Sequence, residues 1–468
     1  MTTEAASGLE FTPASESDMP FIREMIARER LDDERLEAGQ FITLREDGRI
    51  IAFGRIKPYE RTYEMGSVVV VPEARGRGLG QAITRELIRR FPQDEVFITT
   101  DIPQYYEALG FLRTQILPDE LTAKLGRLPA TGLREKAWGM VYDRTYDRLP
   151  TLADVYRARH ALEGQLAPTP LLHNPLMSRE LGFEAHLKLE NLQPIGAFKV
   201  RGGVNLCASL TDEERRRGII GASTGNHGQS LAYGAKLCGM RCVIAMPEEA
   251  NPLKVESMRA LGADVQFHGQ NFEEARDWAE ANARETGMRY VHHVNSPALI
   301  AGVATMSLEI VETLPDVDVI VTPIGGGSGT ISHCLVAKAL KPDVQVIGVQ
   351  TAGAPAVYNS WRERCLQDAP IHTAAEGLAT GHAYYAPVRT FIEKLDDMLL
   401  VSEDEMREAV VRLARSAHVV AEESGAASTA GAVQIAQRLA GKKVALIVSG
   451  GNITIDHLRR ILLDTQAS

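Results

Sequence analysis

The chain has 468 residues, 44% of them apolar and 24% charged. A single core seldom grows past roughly 250–300 residues, so at least two domains are expected. Lys plus Arg number 51 and Asp plus Glu 61, a net charge of −10 with no basic block, which sets nucleic acid aside as a partner.

Five cysteines, Cys207, Cys238, Cys242, Cys334 and Cys365, are too few and too scattered for a disulfide framework. The pair Cys238 and Cys242 has no second pair to complete a zinc set. They are read as small buried thiols in a reducing cytoplasm. The N-terminal run MTTEAASGLE is acidic and lacks an apolar centre, unlike a signal peptide. The longest uncharged stretch, Val319 to Ala337, is broken by glycines, Pro323 and His333, so no membrane span is expected there.

The predicted elements of the first part are short: a helix at 18–30, strands at 40–46, 49–56 and 64–71, a helix at 79–91, a strand at 95–100 and a short helix at 103–109. The stretch 112–150 is rich in Pro, Gly and charge and reads as a domain end plus linker. From about 151 onward strand and helix alternate. The apolar runs Cys242–Met246, Val317–Val321, Val344–Val349 and Val444–Val448 are candidates for buried parallel strands. Several end in glycine-rich turns, where open α/β sheets place ligands.

The run Val68-Val69-Val70-Val71-Pro72-Glu73-Ala74-Arg75-Gly76-Arg77-Gly78-Leu79-Gly80 leads straight into the helix Gln81–Arg90. Backbone N–H groups at a helix N-terminus bind anionic oxygens, and glycines let the backbone come close. Arg75 and Arg77 add charge. Further on stands Tyr105-Tyr106-Glu107-Ala108-Leu109-Gly110-Phe111. With both motifs, residues 9–145 resemble the GNAT acetyltransferases. The resemblance implies that Val71, Arg75, Gly76, Arg77, Gly78 and Gly80 bind acetyl-coenzyme A. It implies Glu64 as base toward an amine, directly or through water, and Tyr106 as acid toward the leaving thiolate. The plain structural readings of these two residues are a solvated strand-edge carboxylate and a packed aromatic. A domain that senses acyl-coenzyme A without turnover is the alternative.

Three further segments follow in order. Lys188-Leu189-Glu190-Asn191 leads into Pro194-Ile195-Gly196-Ala197-Phe198-Lys199-Val200-Arg201-Gly202-Gly203. Lys199 sits among small and apolar residues, a setting that disfavours the ammonium and frees the amine as a nucleophile. Ala222-Ser223-Thr224-Gly225-Asn226-His227-Gly228-Gln229 follows a short strand near Ile219–Ile220 and opens a helix at Ser230–Cys238. Its polar side chains and helix N-terminal amides make a carboxylate cradle. Thr322-Pro323-Ile324-Gly325-Gly326-Gly327-Ser328-Gly329-Thr330 is a phosphate cup. It lacks the lysine of a nucleotide-triphosphate loop, so a monophosphate fits better. Ser449-Gly450-Gly451-Asn452 ends the last strand.

Together these segments closely resemble the fold-type-II pyridoxal-phosphate enzymes, in particular the serine/threonine dehydratases and serine racemases, from about Thr151 to Leu463. The resemblance includes Thr151-Leu152-Ala153-Asp154-Val155 and Glu376-Gly377-Leu378-Ala379. The expected fold class is α/β. A GNAT-like mixed sheet with helices occupies 1–145, and a linker 146–165 follows. A two-lobed enzyme of tryptophan-synthase-β type, with parallel sheets, occupies 166–468, its smaller lobe at about 217–297.

The resemblance implies that Lys199 carries pyridoxal 5'-phosphate and that Phe198 packs on its ring. Asn226 would bond the ring hydroxyl, and Gly325, Gly326, Gly327, Ser328 and Gly329 would hold the phosphate. Ser449 would face the pyridine nitrogen. Ser223, Thr224, Gly225, Asn226 and His227 would hold the substrate carboxylate. A neutral hydroxyl at Ser449 leaves that nitrogen largely unprotonated, so loss of a β-substituent competes with transamination. The implied reaction has the freed Lys199 amine remove the α-proton and the β-hydroxyl depart, with proton help from the cofactor phosphate. The aminoacrylate then hydrolyses to a 2-oxoacid and ammonia.

Departures from the family pattern are informative. Ala197 stands where many relatives have Ser. Thr224 stands where racemases present a serine as second acid/base, and a β-branched alcohol is stiffer, so racemisation is not expected. Gln350-Thr351-Ala352-Gly353-Ala354-Pro355-Ala356 carries no acidic residue, so no divalent metal is expected there. Glu422 matches a glutamate near the cofactor, with a solvated helix carboxylate as its plain reading. The chain ends close after the enzyme segment, which leads to the expectation of no C-terminal regulatory domain and points away from the biosynthetic threonine enzyme. The expected protein is a cytoplasmic ammonia-lyase for L-threonine, L-serine or a related β-hydroxy amino acid, fused to an acetyltransferase domain, with an acetylated or otherwise unusual β-substituted amino acid as the alternative substrate. β-Replacement ranks lower than elimination. The resemblance implies a homodimer or homotetramer, with no membrane or nucleic-acid partner.

Overall fold

The computed structural model describes residues 8–127, 137–250 and 252–464. The expectations for residues 1–7 and for the 128–136 part of the linker lie outside them. The chain divides into two compact units: Met1–Arg144 with Arg364–Leu366, and Thr145–Glu363 with Gln367–Ser468.

The first unit is built on an 8-stranded sheet. Its order is Leu9–Pro13, Phe41–Glu46, Arg49–Pro58, Tyr63–Val70, Glu95–Thr100, Trp138–Asp143, Leu112–Thr114 and Cys365–Leu366. The hairpin between Phe41–Glu46 and Arg49–Pro58 turns on Asp47 and Gly48, whose φ values of 50° and 78° suit the tight turn that matches strand twist. Alternate strand residues serve the two faces. Phe41, Phe53 and Val69 pack with Ile22 and Ile26 of the helix Met19–Arg28. Ile42, Leu44 and Ala52 pack with Leu79, Ile83 and Leu87 of the helix Leu79–Arg90. Tyr63–Val70 and Glu95–Thr100 run parallel and share a single rung, Glu64 opposite Phe97.

The stretch 112–150 does contain the end of the first unit, at Arg144, but it is more regular than a linker. It contains Leu112–Thr114, the helix Asp119–Arg127 and the strand Trp138–Asp143, which fills the sheet between Glu95–Thr100 and Leu112–Thr114. Both partners of that strand precede it in sequence, so the pairing is non-local and the surrounding Pro, Gly and charge hide it. The edge strand Leu9–Pro13 also lacks the buried alternation that would announce it. Residues 146–165 contain the helix Leu152–Leu162, capped reciprocally by Thr151 and Asp154, with Val155, Ala158 and Leu162 buried.

The second unit holds two sheets. One has the order Asp264–Phe267, Cys242–Met246, Ile219–Ala222, Arg289–Tyr290, all parallel. The other has the order Asp397–Val401, Gln345–Thr351, Val319–Pro323, Lys443–Val448, Glu184–Leu189, Leu171–His173. Its pairs are parallel except the last, which is antiparallel. The expected buried strands are here, and each is apolar on both faces because helices cover both. Cys207, Cys242 and Cys334 are buried, whereas Cys238 and Cys365 are half-buried, so two of the five depart from the buried-thiol reading. No helix among the described residues is long and apolar enough to cross a membrane.

Candidate active site

Lys199 stands at the head of the helix Val200–Ser209, and its Nζ donates to Ser328 Oγ at 2.7 Å. The Phe198 ring centroid lies 5.1 Å from that amine. Burial pulls the Lys199 amine down to about 8. Two residues on, Arg201 makes two 2.8 Å bonds to Glu190 and further bonds of 2.6 and 2.8 Å to Glu309. Lys188 completes the group through Glu309 at 2.5 Å and the Thr169 carbonyl at 2.7 Å. Two cations thus meet two anions beneath the Lys199 helix. Burial works against the Glu190 carboxylate, but Arg201 and Lys188 outweigh it and hold its pKa below the ordinary range.

Ser328 opens the helix Ser328–Leu340 directly after the strand Val319–Pro323 and the glycine turn. Gly327, at φ 100°, occupies the left-handed region. A Cβ on Gly325 would overlap the Gly377 carbonyl, and one on Gly326 would overlap Val294. A Cβ on Gly329 would touch the Phe198 ring at 3.4 Å. The cup is therefore bare backbone, with amides at a helix N-terminus, as an anion requires.

The strand Ile219–Ala222 delivers the second segment to the helix Asn226–Leu237. Ser223 Oγ accepts from the N–H groups of Gly225 at 3.1 Å and Gly228 at 2.9 Å, so its hydroxyl shapes the turn. Thr224 is exposed on the cavity rim. Asn226 donates to Glu422 at 3.2 Å and accepts from Asn452 at 2.7 Å. His227 is buried, and burial together with Lys199 and His292 pushes it down to about 3. Ser449 Oγ donates to the Ser424 carbonyl at 3.3 Å. Burial raises Glu422 to about 7, despite Asn226 and Lys254, so it is not a solvated carboxylate.

Lys199, Ser223, Thr224, Asn226, His227, the glycine cup and Ser449 all line one cavity of 1180 Å³. Its other walls come in part from the segment 376–387 and in part from residues that no motif marks. Lys254 and Glu376 form an ion pair on them. His293 and Tyr384 face the same space. Glu376 belongs to the run Glu376-Gly377-Leu378-Ala379, and the doubled His292-His293 is the local signal for His293; Lys254 and Tyr384 stand in no such motif.

In the first unit, Gly76 and Gly78 have φ 79° and 78°, and Gly78 caps the helix Leu79–Arg90. Arg75 pairs with Glu29 at 2.7 Å and Arg77 with Glu46 at 2.6 Å. Val71 donates to Ile51 at 3.0 Å and accepts from Ala74 at 2.9 Å. Tyr106 is 7% exposed, its ring edge-on to Phe111 and Tyr105, which is the packed-aromatic placement. Tyr105, not Tyr106, brings its hydroxyl to Gly80, 2.9 Å from where a Cβ would stand. Glu64 is 3% exposed, so it is not a solvated strand-edge carboxylate. It accepts from Tyr59 at 2.8 Å, Thr99 at 2.5 Å, and Lys124 at 2.9 and 2.7 Å. These bonds fill the lone pairs a base would use.

Residues 162–450 match the family described as pyridoxal-phosphate dependent enzyme. The chain belongs to the pyridoxal-phosphate dependent enzymes. Residues 9–112 match the acetyltransferase (GNAT) family. The chain is 41% identical over 317 residues to an L-threonine ammonia-lyase of Thermotoga maritima, covering 67% of this chain and 78% of the relative. It is 33% identical over 320 residues to a catabolic L-threonine dehydratase of Staphylococcus aureus, covering 67% and 92%. The serine racemase structure from Dictyostelium discoideum is similar with a TM-score of 0.62 and 32% identity, over 65% of this chain and 99% of that one.

The site fits a pyridoxal-phosphate enzyme on its own geometry. A buried lysine touches the first helical residue of an anion cup, a ring packs beside that lysine, and the cavity has room for cofactor and amino acid.

Proposed function

We propose that the second unit is a pyridoxal 5'-phosphate-dependent ammonia-lyase that converts L-threonine, L-serine or a related β-hydroxy amino acid to a 2-oxoacid and ammonia. The observation that carries this reading is the 2.7 Å contact between Lys199 Nζ and Ser328 Oγ at the glycine cup. The relatives named as threonine ammonia-lyase and threonine dehydratase support it. When bound, the cofactor supplies the electron sink for charge developing at the substrate Cα.

The remaining work falls to the chain. Gly325 to Gly329 would hold the phosphate with backbone amides. Lys199, pulled down to about 8, has a neutral fraction near neutral pH and takes the α-proton. Amides at the start of Asn226–Leu237 orient the carboxylate. His227, neutral through burial, adds no counter-charge that would compete for it. Ser449, an uncharged hydroxyl on the cavity wall, would stand toward the cofactor ring in place of a carboxylate and would favour loss of the β-substituent.

The first unit is proposed to bind acetyl-coenzyme A through Arg75 to Gly80. The four bonds on Glu64 favour a binding module over a transferase that uses this residue as base. The protein is read as a cytoplasmic homodimer or homotetramer, which sedimentation would check. The deciding experiment incubates the purified protein with β-hydroxy amino acids, with and without acetyl-coenzyme A, and follows 2-oxoacid, ammonia and free thiol. Turnover of threonine or serine without acetyl-coenzyme A, and no thiol release, is expected. Silence on both with turnover of another substrate would replace the substrate assignment.

A further inference from the structure

We infer that His293 and Tyr384 form the wall that recognises the β-hydroxyl of the substrate and admits uncharged side chains. The inference rests on the lyase reading above. His293 follows the short strand Arg289–Tyr290, and Tyr384 caps the helix Tyr385–Lys394. Both line the cavity that contains Lys199. Segments 91 residues apart thus meet, with Tyr384 Oη 3.3 Å from His293 Nε2.

The pair is rigid. His293 stacks on His292 with centroids 4.8 Å apart, and Phe272 meets it edge-on at 5.6 Å. His292 is itself anchored, its Nδ1 accepting the N–H groups of Val294 at 3.1 Å and Asn295 at 3.2 Å. The Tyr384 ring stands edge-on to both imidazoles at 5.3 Å. The His227 ring, next to the carboxylate cradle, lies 6.1 Å from that of His293.

The pair is also neutral. Burial, then His292, His227 and Lys199, hold His293 well below its ordinary pKa, and burial raises Tyr384 above its own. A neutral imidazole and a phenol each offer a donor and an acceptor, as a hydroxyl requires. Neither offers a counter-charge to a side-chain carboxylate or ammonium. On the same cavity wall Arg276 is paired with Glu273 and Asp277, and Asp368 with His382.

The test compares L-serine with β-chloro-L-alanine, which lacks the hydroxyl and loses chloride without needing a proton. Tyr384→Phe keeps every ring contact and removes one oxygen. His293→Phe, the second variant, keeps a ring and removes the nitrogens. In either holoenzyme, kcat/KM for L-serine is expected to fall roughly tenfold or more, while that for β-chloro-L-alanine changes by about twofold at most. The Kd of L-alanine, read from the cofactor's visible absorption, is expected to stay unchanged. Equal losses on both substrates, no loss on L-serine, or a shifted Kd for L-alanine would overturn the inference. A wild-type enzyme that turns over neither substrate would overturn the lyase reading and the inference with it.

Discussion

The amine of Lys199 stands 2.7 Å from Ser328 Oγ, so residues 129 apart in sequence bring this amine to the end of the glycine turn 325–327. Lys199→Ala is expected to abolish the visible absorption band of the lysine-linked cofactor and the formation of 2-oxoacid, with the far-UV circular dichroism unchanged. The spectrum of the purified variant checks this, and a retained band would take Lys199 out of its role.

Gly325 has no room for a methyl group, because its neighbour there is the Gly377 carbonyl, part of a backbone tied by the Gly377 N–H to Ser424 Oγ at 2.9 Å. Backbone yields less readily than a flexible side chain. Gly325→Ala is expected to weaken cofactor affinity by about tenfold or more, equivalent to ~1.4 kcal/mol. Titration with the cofactor measures it. Unchanged affinity would mean that the cup relaxes without cost.

Lys124 bonds both carboxylate oxygens of Glu64, at 2.9 and 2.7 Å. Burial works against the Lys124 charge, yet Glu64 and Asp32 keep its pKa above the ordinary lysine value. Glu64→Gln and Lys124→Met are each expected to destabilise the protein by about 1–3 kcal/mol. The double variant should lose less than the sum by more than about 0.5 kcal/mol. Denaturant unfolding of the four proteins tests the coupling, and strict additivity would contradict it.

Glu422 is raised by burial from 4.5 to about 7. The folded state therefore favours its protonated form. The stability it contributes is full below pH 4.5 and is lost as pH rises through about 7. Glu422→Gln removes this dependence. Relative to the variant, the wild type is expected to lose thermal stability between pH 4.5 and 7. Tm measured across that range decides, and parallel curves would show that Glu422 titrates normally.

The pyridoxal-phosphate motifs were legible in the sequence because each is a strand, a turn and a helix start in one short run. A glycine turn that feeds a helix presents amides to an anion through local backbone geometry alone, as at Gly325–Ser328, and Lys199 shows its apolar setting in its neighbours. Other features needed the tertiary structure. Glu64 read as a candidate base until Lys124, 60 residues away, filled its lone pairs. Tyr106 matched a motif, yet Tyr105 reaches the turn. The strand Trp138–Asp143 pairs only with segments that precede it. His293, Tyr384 and Lys254 share one cavity although no local pattern joins them. The sequence by itself determined the family and the glycine turns that open its helices, because backbone turns are short-range. Only the tertiary structure decided the cavity walls and the charge states, because burial and ion pairing depend on which distant segments the packing brings together.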